Sequence, residues 1–351
     1  MSKRITLRDV AAQIGVSTAT ASLALRDSPK LPAATRERVR KAALDLGYQF
    51  DPMLAALSAH RWNRQPTHLG STLAVLADGL VEGEQGMRER AAAQGYGLEV
   101  FQIRDYPDPQ RLADVLHSRG ILGVIVAQIF KPGFCAAFDW SRFIAVACSE
   151  GYERPPVNLV MPNHFKAVQD AWDRARAAGY RRIGLALYNM PLAIDYHERY
   201  AAFLERQRQV SDSQRIPLCV LDPPGADPKF HLAMVREMGK WMQEWKPEVV
   251  LGFNNYFYWI LRDAGWQAPK KVTFYDLWIT ETPIINPGFF LSHAELGRRA
   301  VELLDTLIRG GERGIPDHPA TLSINFAWRD GPANPVAKAK RPRIKGHKLL
   351  S

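Results

Sequence analysis

The chain has 351 residues, of which 46% are hydrophobic, and this length and composition predict two or three compact domains rather than one. No apolar run approaches the ~18 residues of a membrane span. Residues 1–20 contain Arg4, Arg8 and Asp9 without an apolar core segment. The sequence therefore predicts neither an export signal nor a membrane anchor, and it predicts a cytoplasmic protein.

The net charge of +10 is concentrated at the two ends of the chain. Residues 1–64 carry eleven Lys and Arg against five Asp and Glu, and residues 334–351 carry six Lys and Arg and no acidic residue. A near-neutral body between two basic ends indicates a nucleic-acid-binding head rather than an evenly cationic enzyme. Residues 331–351 are predicted to be a basic, disordered tail.

Three cysteines are far apart in the sequence and lack the spacing of metal ligands: Cys135, Cys148 and Cys219. This usage fits a reducing compartment and argues against a disulfide framework. We therefore expect buried structural cysteines, no bound metal and no cofactor.

Short helical patterns fill the N-terminal segment of the chain. Thr6 is placed to cap the first of them, and Gly15 can end it by adopting a left-handed conformation. Two short helices around a glycine-containing turn predict a helix-turn-helix, so residues 1–50 are assigned to a DNA-binding domain. The three predicted helices are Leu7–Ile14, Thr18–Leu25 and residues 33–46.

Residues 51–69 connect this head to the rest of the chain in two parts. Asp51 and Pro52 occupy the cap and first helical position of a short helix that reaches His60. The residues from 61 to 69 are polar, basic and interrupted by a proline, and they are predicted to form a linker.

From residue 70 to residue 330, apolar strand-like runs alternate with amphipathic helical segments in two successive series. This alternation predicts an α/β domain with two parallel, Rossmann-like sheets and a cleft between the two lobes. A last helix and a last strand complete it. The predicted strands are residues 71–77, 97–103, 120–127 and 143–148 in the first series, residues 183–188, 216–222, 248–253 and 271–276 in the second, and residues 321–328 at the end.

The N-terminal string ITLRDVAAQIGVSTATASLALRDSPKLPAATRERVRKAALDLGY closely resembles the DNA-binding segment of the LacI/GalR family of bacterial transcriptional regulators. It contains T-L-x-D-V-A, G-V-S-x-x-T-x-S, T-R-x-R-V and L-G-Y in one register. Weaker matches, such as G-Y-R-R-I-G and G-R-R-A-V-E-L-L, extend the resemblance over about residues 5–330. It implies a periplasmic-binding-protein-like effector domain, a homodimer or higher oligomer, and a repressor whose operator binding is controlled by a small molecule.

The resemblance implies a set of residues that face the bases in the major groove: Thr18, Ala19 and Leu23. This trio lacks the Arg, Gln or Asn side chains that bond bases bidentately, so we expect readout through thymine methyls, the Thr18 hydroxyl and DNA shape. Serine and threonine hydroxyls are expected to hold phosphates, but each of these side chains could instead cap a helix or lie on a solvated helix face. The expected phosphate contacts are Ser17, Thr20, Ser22, Arg26 and Thr35.

Residues 51–58 match the family's hinge helix, in which a leucine wedges into the minor groove at the operator centre and kinks the duplex. Leu57 occupies that position. The sequence departs from the family at Phe50, where proline is common, and at Leu54, where alanine is common. The alternative for this segment is an amphipathic helix packed on the effector domain.

In this family, effectors lie between the lobes, against loops at the carboxyl ends of strands. The resemblance implies a sugar-like effector and polar contacts from the chain, and an aromatic ring would stack on the apolar face of a sugar. Each residue type also has an alternative role: an arginine can lie on the surface, an aspartate or asparagine after a strand can form a turn or cap, and an aromatic residue can pack in the core. The implied effector residues are Arg199, Asn254, Asp276, Asp78 and Trp278.

Other classes of protein account for less of the sequence. Cys148 lies in A-C-S-E-G, which matches a nucleophile elbow in spacing alone and has neither an assigned histidine nor a glycine-rich oxyanion loop, so no enzyme is predicted. A small-molecule-binding protein without specific DNA recognition would account for residues 70–330 but not for the capped helix-turn-helix. A transcriptional activator of the same family stays an alternative, because no residue separates activation from repression.

The hinge assignment is tested by Leu57→Ala. Loss of the wedge should weaken binding to an operator duplex while salt-sensitive binding to an unrelated duplex stays near that of the parent. Titration of both labelled duplexes at several salt concentrations measures the two affinities. Equal losses on both duplexes would remove Leu57 from the minor groove.

Overall fold

The structure is a computed structural model, and two compact units, residues 1–67 and 68–351, make up the chain. The predicted hinge helix with Leu57, the linker, Arg26 and the tail beyond Gly331 lie outside the described residues. Five residues are described by their backbone alone: Ala19, Ser22, Ile194, Asp195 and Pro228. The described residues are 6–25, 31–46, 71–148, 153–190, 194–223, 228–280 and 284–331.

The described part of the first unit contains three helices, as predicted: α1 (Leu7–Ile14), α2 (Thr18–Leu25) and α3 (Ala33–Asp45). Thr6 and Asp9 form a capping box at the start of α1, and Gly15 ends the helix with a φ of 69°. The first helix is therefore delimited by local interactions that the sequence specifies directly.

Small aliphatic side chains form the core between these three helices. The short side chains let the helices approach closely, and they leave the polar and basic residues on the surface. The buried core residues are Val10, Ala11, Ala21, Ala24, Val39, Ala42 and Ala43.

The second unit alternates strands and helices throughout. Four of its strands contain only buried residues, as expected where a sheet is covered on both faces. In chain order its elements are β1 (Thr72–Ala77), α4 (Glu84–Ala93), β2 (Gly97–Gln102), α5 (Pro109–Ser118), β3 (Gly123–Val126), α6 (Phe134–Ala137), β4 (Ile144–Ala147), β5 (Asn158–Pro162), α7 (His164–Ala177), β6 (Ile183–Tyr188), α8 (Ile194–Gln207), β7 (Cys219–Leu221), α9 (Pro228–Trp245), β8 (Val249–Gly252), α10 (Asn254–Asp263), β9 (Thr273–Ile279), β10 (Gly288–Phe290), α11 (His293–Gly310), β11 (Thr321–Ile324) and β12 (Ala327–Arg329).

The strands form two six-stranded sheets, one in each lobe. The first lobe has the strand order β11-β5-β4-β3-β1-β2, and all its neighbouring strands are parallel. The second has the order β12-β10-β9-β8-β6-β7, in which β12 alone runs antiparallel to its neighbour. The prediction of two largely parallel α/β lobes is confirmed.

The chain passes between the two lobes three times. It leaves the first lobe at Asn163, between β5 and α7, and returns at residues 291–292, between β10 and α11. It then crosses again at residues 325–326, between β11 and β12. We call these three places the crossovers.

The last crossover corrects one sequence prediction. Residues 321–328 were expected to form a single strand, but they form β11 and β12, which belong to different sheets. The sequence of residues 321–328 is strand-like throughout, so the sequence does not show where the strand is interrupted. The interruption is set by the positions of the two sheets that β11 and β12 join. The short strands β5 and β10 were not predicted at all.

Helices α4 and α11 touch each other through their backbones. A Cβ atom on Gly86 would lie 1.8 Å from the carbonyl oxygen of Ala294, and one on Gly297 would lie 2.3 Å from the carbonyl oxygen of Gly83. The first lobe therefore requires glycine where these helices meet.

Among the described helices, none combines the length and the apolar character that a membrane span needs.

We predict opposite effects for two glycine-to-alanine substitutions in helices. Gly86→Ala should lower the free energy of unfolding by about 1–3 kcal/mol, because the added methyl overlaps a carbonyl oxygen. Gly239→Ala should raise it by about 0.5–1 kcal/mol, because alanine favours helix. The Cβ at residue 239 meets only the Cβ of Ala264, at 3.7 Å. Urea unfolding of both variants and the parent measures the changes, and a stable Gly86→Ala protein would contradict the close helix contact.

Candidate DNA interface and inter-lobe site

Helix α2 presents part of its surface to solvent. Ala21 and Ala24 are buried in the core of the first unit, whereas Thr18 is exposed and Leu23 is 39% exposed. Thr18 and Leu23, two of the three predicted base-facing residues, thus lie on the accessible side of this helix. The third predicted residue is Ala19, whose side chain is not among the side chains that the structure describes.

Ser17 caps helix α2. Its Oγ accepts the backbone N–H of Thr20 at 3.0 Å and lies 2.8 Å from the Thr20 hydroxyl. The Ser17 oxygen therefore satisfies an amide at the start of the helix, which is one of the two roles that the sequence left to it. Thr35 lies half-buried in the first turn of α3, and the side chains of Ser22 and Arg26 lie outside the described ones.

In the second unit, Asp276 lies on β9 and its side chain is fully buried. Its Oδ1 accepts the backbone N–H of Asn254 at 3.1 Å and that of Trp278 at 2.9 Å. Its Oδ2 has no hydrogen-bond partner among the described residues. Burial raises the pKa of Asp276 to about 7, against the opposing effects of these two N–H groups and of the Arg199 charge.

Asn254 begins helix α10 with a φ of 69°, which is a left-handed conformation. Its Oδ1 accepts the backbone N–H of Tyr256 at 2.9 Å, so its side chain caps the helix that its backbone starts. The Asn254 N–H thus joins this residue to the Asp276 carboxylate, and Asp276 lies midway along β9, where it pairs with Gly252 at the carboxyl end of β8.

Arg199 lies on α8 and is 3% exposed. Its guanidinium lies 3.8 Å from the ring centre of Phe253, and its Nη2 lies 2.8 Å from Nδ1 of His164. His164 is the first residue of α7 and is also buried. The arginine is therefore held inside the second unit by an aromatic face and by an imidazole nitrogen.

Trp278 is buried near the end of β9, where its Nε1 donates to the carbonyl of Leu291 at 2.8 Å. Its ring centre lies 5.0–6.1 Å from the ring centres of four other residues. The structure thus places Trp278 in a packed cluster. The four neighbours are His164, Phe253, His293 and Phe326.

Asp78 follows β1 in the first lobe and is half-buried, with its backbone N–H donating to the carbonyl of Gln128 at 2.9 Å. Among the described residues, no hydrogen bond joins its side chain to the other four predicted effector residues. In the second lobe, Arg199 and Trp278 both contact His164 and Phe253. The Asp276 carboxylate joins Asn254 to Trp278. Sequence reasoning missed His164, because it follows the unpredicted strand β5.

The raised pKa of Asp276 predicts a pH-dependent stability. An unfolded Asp titrates near about 3.9, so between roughly pH 4 and pH 7 the folded chain binds more protons than the unfolded chain. The contribution of this residue to stability therefore falls as the pH rises through that window. Asp276→Asn cannot titrate, so from about pH 4.5 to 7.5 its free energy of unfolding should rise relative to the parent by on the order of 2–4 kcal/mol. Urea unfolding across this range measures the difference, and a constant difference would show that Asp276 does not titrate there.

Residues 6–51 match the family model described as bacterial regulatory proteins, lacI family. The chain is 29% identical over 192 residues to the maltose regulon regulatory protein MalI of Escherichia coli K12, covering 52% of this chain and 53% of MalI. It is 28% identical over 216 residues to the HTH-type transcriptional repressor CytR of the same organism, covering 60% of this chain and 62% of CytR. The chain thus spans between half and two thirds of the length of these relatives.

Solved structures resemble the chain over a longer span. A transcriptional regulator CelR–cellobiose complex aligns with a TM-score of 0.55 and 18% identity, covering 93% of this chain and 98% of that one. A lac repressor dimer bound to operator and the anti-inducer ONPF aligns with a TM-score of 0.55 and 16% identity over the same shares. These likenesses establish a helix-turn-helix head followed by a two-lobed α/β domain. The chain is thus similar to the lacI family of bacterial regulatory proteins over residues 6–51, and to the regulators MalI and CytR over 52% and 60% of its length.

Proposed function

We propose that this protein is a sequence-specific DNA-binding transcriptional regulator, a repressor whose operator binding is controlled by a small molecule between the lobes. The observation that carries the proposal is the capped helix-turn-helix over residues 6–46, inside the segment that matches the lacI family model. The name of CytR as a transcriptional repressor supports repression. The proposal includes no catalytic step.

In this proposal, helix α2 enters the major groove with Thr18, Ala19 and Leu23 toward the bases. Thr18 offers a hydroxyl and Leu23 an exposed apolar side chain, so thymine methyls and DNA shape supply most of the specificity. The phosphate contacts are proposed from five residues: Ser17, Thr20, Ser22, Arg26 and Thr35. Ser17 can cap α2 and donate its hydroxyl hydrogen to a phosphate at the same time.

Two copies of the chain are proposed to pair through their effector domains and to bind a pseudo-palindromic operator. The symmetry of the dimer then becomes the symmetry of the two half-sites, and two hinge helices with Leu57 meet at the centre. A change in the angle between the lobes alters the separation of these helices. A coupling of a few kcal/mol, typically about 1–3 kcal/mol, is enough to switch operator binding.

The effector is proposed to be a sugar or a related metabolite. Oδ2 of Asp276 has no hydrogen-bond partner among the described residues, so it can accept a hydrogen bond from a ligand hydroxyl. Arg199 supplies forked donors for ligand oxygens. Asn254, Asp78 and Trp278 complete the proposed contacts, with Trp278 as the apolar wall of the site.

Sequencing of the genomic DNA fragments that the purified full chain retains at physiological salt tests this proposal. We expect one or a few pseudo-palindromic sites. Leu23→Glu should reduce the retention of fragments with these sites by on the order of tenfold or more, because it places a carboxylate in the groove. Leu44→Glu is the matched control, since Leu44 is 81% exposed on α3 and receives the same added charge. It should retain the sites.

Two results would contradict the proposal. Diffuse retention that disappears uniformly with salt would indicate a small-molecule-binding protein whose basic ends touch DNA non-specifically. Equal losses in Leu23→Glu and Leu44→Glu would show that added negative charge, rather than a base-facing position, governs binding. If specific sites are recovered, a reporter gene placed behind them distinguishes repression from activation.

A further inference from the structure

The three crossovers are joined by one aromatic group, which we call the crossover cluster: His164, Trp278, His293 and Phe326. His164 follows the first crossover, His293 the second, and Phe326 lies in the third. The ring centre of Trp278 lies 5.4 Å from that of His164, 5.0 Å from that of His293 and 6.1 Å from that of Phe326. One tryptophan thus contacts a residue from each place where the chain passes between the lobes.

The crossover cluster is anchored in both lobes. Trp278 belongs to β9 of the second lobe, and its indole N–H donates to the carbonyl of Leu291 at the second crossover. His293 lies 2.9 Å from a carboxylate oxygen of Glu82, which belongs to the first lobe. A change in the angle between the lobes must therefore rearrange the contacts of this cluster.

Arg199 is attached to the cluster through His164. A guanidinium carries only donors, so Nη2 of Arg199 is the donor toward the His164 ring, where it lies 2.8 Å from Nδ1 and 3.3 Å from Nε2. Both side chains are buried, and a hydrogen bond from a charged donor is strong in such surroundings. The bond holds the His164 ring, which itself lies 5.6 Å from the ring of Phe326.

We propose that His164 is a positioning residue through which Arg199 controls the contacts between the lobes. An effector oxygen that accepts the Arg199 Nη2 hydrogen displaces His164 from this bond, and the released ring loosens the crossover cluster. The inference rests on the proposed function, because it takes Arg199 to be an effector contact. The effector class it requires is one with oxygen acceptors, such as a carboxylate or a sugar hydroxyl.

Hydrogen–deuterium exchange of the full chain without DNA or effector tests the inference. His164→Phe keeps a ring of similar size and removes the acceptor, so amides at the crossovers should exchange about tenfold faster, including that of Asn163, which donates to the carbonyl of Ile324. His164→Gln restores an acceptor and should exchange at nearly the parent rate. The matched control is His197→Phe, a substitution of the exposed histidine on α8, which should leave the crossovers unchanged.

A second pair of variants separates coupling from simple loss of packing. Arg199→Met removes the donor and keeps an apolar side chain against Phe253, so it should reproduce the exchange of His164→Phe. The double variant should exchange no faster than either single one, because both remove the same bond. Additive increases in the double variant would overturn the proposal, as would parent-like exchange in His164→Phe. If His164→Phe does not fold, parent-like exchange in Arg199→Met overturns it instead.

The test is independent of DNA binding. A protein that retains no specific DNA contradicts the proposed function, while its crossover exchange still reports on His164. Conversely, specific operator binding with parent-like exchange in the variants supports the proposed function and overturns the role of His164.

Discussion

One carboxylate oxygen organises the end of the second sheet at which α10 begins. Oδ1 of Asp276 holds the backbone N–H groups of Asn254 and Trp278 at once. Asn254 has a left-handed backbone, which asparagine adopts more readily than most residues other than glycine, and the bond from its N–H to the carboxylate helps to hold this conformation. The start of α10 and the course of β9 beyond Asp276 therefore depend on the same buried atom.

The surroundings of this carboxylate explain why the region differs from an ordinary hydrophobic core. Arg199, His164 and Asp276 are all buried, and the cores of soluble domains rarely hold charged side chains without specific partners. Here an arginine lies on the face of Phe253, an imidazole accepts one of its hydrogens, and a carboxyl group retains an oxygen unused by the described residues. Polar groups placed in this way are typical of binding sites rather than of structural cores.

The sequence predicts the head more completely than the body. Capping by Thr6, the left-handed Gly15 and the spacing of apolar residues in α1 are local, so the helix-turn-helix follows from the residues that form it. The long helices and the buried strands of the two lobes also carry clear periodicity. Strands β5 and β10 do not, because they are short and contain Asn, Pro or Gly, and they become strands only through pairing with their neighbours.

In the predicted effector site, too, some features follow from the sequence and others depend on tertiary contacts. Family resemblance names Arg199 and Asp276, and the structure places both in the second lobe, where Asp276 bonds the Trp278 N–H and Arg199 contacts His164, a neighbour of Trp278. Their burial and their attachment to His164 depend on tertiary contacts between distant segments, which no spacing in the sequence encodes. Had β5 been predicted, His164 would have been placed at the carboxyl end of a parallel strand, where ligand-contacting residues are expected.

The return of the chain to both sheets at residues 321–329 has a consequence for synthesis. During translation the first sheet lacks its edge strand and the covering helix α11 until long after its other strands have left the ribosome. The second sheet lacks β12 until almost the end of the described chain. The head, whose three described helices are contiguous, can fold early, whereas both lobes must wait for the last segments and expose apolar strands meanwhile. Nascent chains of this protein therefore present their sheet edges to chaperones before either lobe is complete.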